Sequence, residues 1–93
     1  MKLMVTWRMH QGKLHGTLAK FAEMTAEQDQ AMAGDHVKLI GRWHDLVSGR
    51  GVAIFEADDA EAMSKYALAW NEFMDLELSV VLDDDETRAL AKG

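Results

Sequence analysis

Residues 37–57 have the sequence VKLIGRWHDLVSGRGVAIFEA, which predicts two β-strands joined by a tight turn. Residues 37–44 and 52–57 are rich in strand-forming residues, whereas residues 48–51 (SGRG) form a flexible connection. Alternation places Val37, Leu39, Gly41 and Trp43 on one face of the first strand, and Lys38, Ile40, Arg42 and His44 on the other. Because the connection is short, we expect the two strands to pair as an antiparallel hairpin.

One further strand is predicted on each side of this hairpin. Residues 2–8 alternate, with Leu3, Val5 and Trp7 on one face and Met4, Thr6 and Arg8 on the other. Residues 76–82 alternate in the same way, with Leu76, Leu78, Val80 and Leu82 on one face. The chain therefore has four predicted strands, two in each half.

In the segments between these strands, apolar residues recur at helical spacing. The first predicted helix begins near Lys13 and has an apolar stripe of Leu14, Leu18, Phe21, Ala22 and Thr25. The stripe weakens over residues 27–30, so the second half of the segment is either helical or irregular, and Gly34 is the predicted stop. Asp58 and Glu61 resemble a capping box for the second helix. The apolar face of that helix comprises Met63, Tyr66, Ala67, Trp70, Phe73 and Met74. Residues 83–92 predict a short C-terminal helix with acidic residues at its start.

The order of elements is βαββαβ, which predicts one α+β domain spanning residues 1–93. Right-handed crossovers place the first and third strands in the centre of a four-stranded antiparallel sheet of order 4-1-3-2, with two helices on one face. The open face would carry Met4, Thr6 and Ile40 among charged residues. Because a small sheet with apolar residues on both faces usually packs a second layer, we expect a homodimer through this face.

Composition excludes several classes of protein. The 93 residues have a net charge of −6, and no basic stretch interrupts the acidic surface, so nucleic-acid binding is not expected. The absence of cysteine excludes disulfides and thiolate chemistry. No apolar run approaches the roughly 20 residues of a membrane helix, and the first residues lack a signal-peptide pattern. We therefore expect a cytoplasmic protein that does not bind membranes.

All three tryptophans are predicted to converge on one end of the sandwich. Trp7 and Trp43 have the parity of the apolar strand faces, so both should point towards Trp70 on the second helix. His44 has the opposite parity and should point to the open face, unless a bulge turns it. Two interpretations stay open: the aromatic residues close the end of a small core, or they line a pocket for a flat or apolar ligand.

The histidines provide the candidate polar groups of such a pocket. His10 and His44 lie at this end and are candidates for general acid–base catalysis or ligand orientation. His15 and His36 are expected to be solvated. No histidine pair has the i,i+4 spacing of a zinc-binding helix, so neither a metal site nor a cofactor is expected.

Several segments together resemble a known family. They are MKLMVTWRMH at 1–10, GRWHD at 41–45, FEADDAEA at 55–62, Trp70, and VVLDDDE at 80–86. In this order they are similar to the small bacterial proteins of the domain of unknown function DUF3303. That pattern usually has a proline where this chain has Val80.

The resemblance implies a ferredoxin-like domain of the dimeric α+β barrel type. Other members of that superfamily include cofactor-free monooxygenases and isomerases, but the family itself implies no particular reaction. The family motif positions in this chain that could belong to a site are Trp7, Arg42, Trp43, His44 and Trp70.

Two functional hypotheses follow. In the first, the protein binds a small apolar or aromatic molecule through Trp7, Arg42, Trp43, Tyr66 and Trp70. If it is an enzyme of the cofactor-independent monooxygenase or isomerase type, His44 and His10 transfer protons. In the second, the chain is a non-catalytic structural or regulatory dimeric module without a small-molecule ligand.

Overall fold

The computed structural model describes all residues from 1 to 93, and it contains one four-stranded sheet and four helices. In chain order the elements are β1 (Lys2–Met9), α1 (Leu14–Glu23), α2 (Ala26–Ala33), β2 (Val37–Asp45), β3 (Arg50–Ala57), α3 (Ala60–Trp70), β4 (Met74–Val81) and α4 (Asp84–Ala91). The strand order is β2-β3-β1-β4, and every neighbouring pair is antiparallel. The predicted α+β fold, with order 4-1-3-2, is confirmed.

The hydrophobic core lies between the inner face of the sheet and α3. Alternating residues of the central strands are buried there, as the period-2 pattern predicts, and they meet the apolar stripe of α3. The cluster comprises Leu3, Val5, Val37, Ala53, Phe55, Ala57, Met63, Tyr66, Trp70 and Met74.

The first helical segment is two helices, so the prediction of one continuous helix is wrong. Thr25 ends the continuity because it forms a capping box with Gln28. The Thr25 hydroxyl accepts the Gln28 N–H at 3.1 Å, and the Gln28 side chain accepts the Thr25 N–H at 2.9 Å. Gly34, with φ of 87°, ends α2 as predicted.

The second predicted helix also differs at both ends. Asp59 rather than Asp58 is the N-cap of α3, because its carboxylate accepts the Ala62 N–H at 2.7 Å. The Asp58 carboxylate instead contacts Nδ1 of His36 at 2.7 Å. The helix ends at Trp70, so two residues of the predicted stripe lie beyond it: Phe73 in the following turn and Met74 in β4.

A β-bulge in β2 reverses the predicted orientation of the residues that follow it. Leu39 pairs with Phe55, but Gly41 pairs with Ile54, so Ile40 is an extra residue opposite β3. Because side chains alternate with period 2, this one residue exchanges the two faces of the strand beyond it. Arg42 and His44 consequently point towards the helices, and Trp43 points to the open face, where it is 60% exposed. The prediction that Trp43 faces the helices is therefore wrong.

The open face of the sheet carries an apolar patch with no element over it. It consists of the partly buried Met4, Thr6, Val52 and Ile54 and the exposed Trp43. The Trp43 ring lies over Gly41, where a Cβ atom would come within 2.4 Å of the indole. None of the four helices has the length and hydropathy that a membrane-spanning helix requires.

Candidate functional site

A small cavity of about 60 Å³ lies between the inner face of the sheet, α1 and α3. Thirteen of its sixteen lining residues are hydrophobic. The hydrophobic residues include Val5, Trp7, Met9, Leu18, Phe21, Phe55, Met63, Tyr66, Trp70 and Leu76. The polar residues of the lining are Thr17, Arg42 and His44. At about 15 Å³ for each water-sized sphere, the space corresponds to about four water molecules. The site is therefore apolar, and it is small as it stands.

One wall of the cavity is a row of residues that runs across all four strands. Gly51 pairs with His44 on one side and with Trp7 on the other, and Trp7 pairs with Leu76. The rings of Trp7 and His44 lie 5.6 Å apart between centroids at 65°, an edge-on contact. The indole of Trp7 lies over Gly51, so the absent side chain at this position makes room for the ring.

Helix α1 covers this wall. The ring of Phe21 lies 5.2 Å from that of His44 and 5.4 Å from the Arg42 guanidinium. The Lys20 ammonium lies 4.8 Å from the ring centroid of Phe73 and 5.7 Å from that of Trp70, which joins α1 to the end of α3 by cation–π contacts. Through Phe21 and Lys20, α1 thus contacts the sheet, the end of α3 and the turn that follows it.

A buried polar cluster of Asp29, Arg42 and Tyr66 lies beside the cavity. Arg42 Nη1 donates to Asp29 Oδ2 at 2.9 Å, and Arg42 Nη2 donates to the Tyr66 hydroxyl at 2.9 Å. The same hydroxyl donates to Asp29 Oδ1 at 2.5 Å. The side chains of Asp29 and Arg42 are only 12% and 14% exposed. Because both carboxylate oxygens accept hydrogen bonds, the charge of Arg42 is compensated within the cluster.

Tyr66 acts in this cluster as a neutral hydrogen-bond donor. Burial, and secondly its hydrogen bond to Asp29, raise the pKa of Tyr66 to about 12. The hydroxyl therefore stays protonated at physiological pH. It fixes the position of Arg42 rather than serving as a base.

The imidazole of His44 is the polar group of the lining without a partner. His10 and His36 make side-chain hydrogen bonds, whereas no hydrogen bond of the chain reaches a ring nitrogen of His44. Burial, and secondly the positive charge of Arg42, lower the pKa of His44. The ring is therefore neutral near pH 7, with one nitrogen able to donate and the other able to accept.

The lowered pKa of His44 predicts that part of the stability rises with pH. The unfolded chain binds a proton at the ordinary pKa of 6.5, whereas the folded chain binds it only at lower pH. Protonation therefore favours unfolding as the pH falls below 6.5. We expect His44→Phe to remove this component. Urea unfolding should then show a smaller gain in the free energy of unfolding from about pH 5 to about pH 8 than in the wild-type protein.

His36 provides a matched control of opposite sign. The hydrogen bond to Asp58, and then the charge of that carboxylate, raise the pKa of His36. Its contribution to stability is present below the unfolded pKa of 6.5 and is lost as the pH rises through the folded value. His36→Gln should thus cost stability at low pH only. Equal pH dependence in the wild-type protein and both variants would contradict the assignment.

The structure brings together five of the seven site residues that the sequence predicts. Trp7, Arg42, His44, Tyr66 and Trp70 line one cavity. Trp43 and His10 lie outside the cavity lining.

His10 contacts the turn between α3 and β4 and the start of β4. Its Nε2 contacts Asp75 Oδ1 at 2.9 Å, and its Nδ1 contacts the Glu72 carbonyl at 3.2 Å. These contacts account for the position of the ring without a ligand.

Sequence reasoning missed two residues of the site. Asp29 lies in the polar run EQDQ, where nothing distinguishes it from its exposed neighbours. The capping-box pattern of Thr25 and Gln28 could have indicated a separate α2. Phe21 was predicted to be part of the apolar stripe of a helix, but its contact with His44 depends on the bulge in β2.

A family model described as "Domain of unknown function (DUF3303)" matches residues 1–93, the whole chain. No curated protein and no solved structure matches. The match extends over all four strands and over every residue of the cavity. The chain therefore belongs to the DUF3303 family.

Proposed function

We propose that the protein binds a small apolar or aromatic molecule in the cavity between the sheet and the helices. The observation that carries this proposal is an apolar cavity lined by Trp7, Phe21 and Trp70, with the neutral imidazole of His44 at its wall. Ligand sites are typically apolar concavities with a few polar groups that orient the ligand. Arg42 and Tyr66 stiffen one side through Asp29.

Ligand entry requires the cavity to widen, because about 60 Å³ is less than a ring compound occupies. Helix α1 is the element that can move. Its only buried residue is Thr17, and its remaining residues are half-buried or exposed. Elements with few buried contacts open at low free-energy cost. An outward shift of α1 would enlarge the space over the Trp7 and Phe55 rings.

The experiment is a thermal-shift screen with toluene and indole as probes. At about ten times Kd, a ligand adds about 1.4 kcal/mol to the free energy of unfolding, which raises Tm by several degrees in a domain of this size. Ala67→Met should fill the cavity from α3 and abolish the shift. Ala69→Met, at an exposed position of the same helix, should retain it. No shift with the wild-type protein, or an undiminished shift with Ala67→Met, would refute ligand binding in this cavity.

If the protein is an enzyme, His44 is the group that we propose for proton transfer, in a reaction that needs no cofactor. It lines the cavity and is neutral near pH 7, so it can accept a proton from a bound molecule. His10 lies outside the lining and is already paired with Asp75. His44→Ala should therefore abolish an activity that His10→Ala preserves.

The cytoplasmic location stays a prediction.

We further propose that two copies associate through the apolar patch on the open face. This proposal is supported by the apolar character of the patch, in which the exposed Trp43 lies beside the partly buried Met4, Val52 and Ile54, with no helix above them. Sedimentation equilibrium at micromolar concentration should give about twice the chain mass of 10.4 kDa. Trp43→Glu should give the single-chain mass, whereas Leu68→Glu, at an exposed site on α3, should not. A wild-type mass of 10.4 kDa would contradict association.

The second candidate function is a non-catalytic structural or regulatory module without a small-molecule ligand. The small volume of the cavity favours it, because a compact aromatic cluster also stabilises a core. The two functions differ in the screen above, since a purely structural cluster gains no stability from toluene or indole. In that case Ala67→Met would change the stability of the protein, but there would be no ligand-induced shift for it to abolish.

A further inference from the structure

Three polar residues border the cavity, and two of them already make hydrogen bonds within the chain. The Thr17 hydroxyl donates to the Lys13 carbonyl at 2.7 Å within α1. Arg42 donates to both Asp29 and Tyr66. His44 is solvent-exposed, and no hydrogen bond of the chain reaches either of its ring nitrogens. Of these three side chains, His44 is therefore the one without a hydrogen-bond partner in the chain.

The charges around the cavity disfavour a charged ligand. A carboxylate would need a free cation, but Arg42, the cationic residue of the lining, is compensated by Asp29 at 2.9 Å. An ammonium group would need a free carboxylate, but both oxygens of Asp29 accept hydrogen bonds. Moving an unpaired charge from water into an apolar site is strongly unfavourable. The complementary ligand is uncharged.

A hydroxyl group matches the neutral imidazole of His44. An imidazole without charge presents one donor and one acceptor, and a hydroxyl can serve either nitrogen because it both donates and accepts. The edge-on contact with Trp7 and the tilted contact with Phe21 hold the His44 ring in place. These two rings also provide flat apolar surfaces beside the imidazole, onto which an aromatic ring can pack.

We propose that the ligand is an uncharged single-ring aromatic alcohol of the phenol class, with its hydroxyl on His44 and its ring against Trp7 and Phe21. This inference rests on the proposed ligand-binding function and adds the class of ligand. His44 is then the specificity-determining residue of the site. The rest of the lining contributes mainly apolar contact.

The test compares four probes of similar size: phenol, toluene, benzoate and benzylamine. Dissociation constants are measured by titration calorimetry or by ligand-observed NMR. Phenol should bind about 3–10 times more tightly than toluene, the effect of one hydrogen bond, and neither charged probe should show saturable binding. In His44→Phe the preference for phenol over toluene should disappear while toluene still binds. His15→Phe, on the exposed surface of α1, should behave as the wild-type protein.

The outcomes separate this inference from the function on which it rests. Equal affinity for phenol and toluene in the wild-type protein overturns the inference and leaves the proposed apolar site intact. Tighter binding of benzoate than of phenol also overturns it, because Arg42 would then be free to bind an anion. Failure of every probe to bind refutes both. The ratio of phenol to toluene affinity is measured on the wild-type protein, so it does not depend on the folding of a variant.

Discussion

Replacing Asp29 with alanine is expected to lower the free energy of unfolding by about 3–5 kcal/mol, because it leaves the Arg42 guanidinium buried without its counter-charge. Arg42 and Asp29 are 14% and 12% exposed at their side chains, so water compensates little of the loss. The substitution also removes the acceptor of the Tyr66 hydroxyl. The measurement is urea unfolding at pH 7, followed by tryptophan fluorescence and by circular dichroism.

Two further variants separate charge from packing. Adding Arg42→Met to Asp29→Ala removes the unpaired cation, so the double variant should be more stable than Asp29→Ala alone. Asp85→Ala removes an exposed ion pair with Arg88 in α4 and should cost less than about 1 kcal/mol. A loss from Asp29→Ala no larger than that from Asp85→Ala would show that the cluster does not stabilise the fold.

Gly51→Ala should also destabilise the protein strongly, by about 2–3 kcal/mol, because the added methyl group collides with Trp7. An ideal Cβ at position 51 would lie 1.9 Å from the Trp7 ring, so the indole would have to leave its place over β3. The cavity wall would change with it, since Trp7 and His44 meet across this glycine. Thermal and urea unfolding measure the loss.

A double-mutant cycle identifies the collision as the cause. In the presence of Trp7→Leu, Gly51→Ala should cost at least about 1 kcal/mol less than it does in the wild-type protein. Gly16→Ala is the control, since no heavy atom lies within 4 Å of the added methyl and the residue lies inside α1. That variant should gain about 0.5–1 kcal/mol from helix propensity. Additive costs for Trp7→Leu and Gly51→Ala would mean that the indole does not occupy the space above position 51.

The core and the sheet order could be predicted because they depend on regular periodicity. Leu3 and Val5 alternate without interruption, and both are buried as expected. Met63, Tyr66 and Trp70 follow helical spacing and pack against them. Both patterns are local, so each can be found in a window of about ten residues without knowledge of the partner.

The candidate site could be predicted only in part, because one bulge decides which residues reach it. The alternation of residues 37–44 places Trp43 inside and His44 outside, but the extra residue Ile40 exchanges them. A bulge follows from how β2 must pair with β3 over its whole length, and no single residue of β2 indicates it in the sequence. The tryptophans at 7 and 70 have no such interruption before them, and both lie where the sequence predicts.

By itself, the sequence determined the α+β class, the order of the four strands, the buried faces of β1 and α3, and the end of the sandwich at which a cavity would form. These features follow from residue periodicity and from the handedness of crossovers, which act along the chain. Only the tertiary structure decided that Arg42 and His44 face the cavity, and that Asp29 of α2 compensates Arg42. Those relations join elements that are distant in the chain, and each depends on the register of β2 against its neighbours.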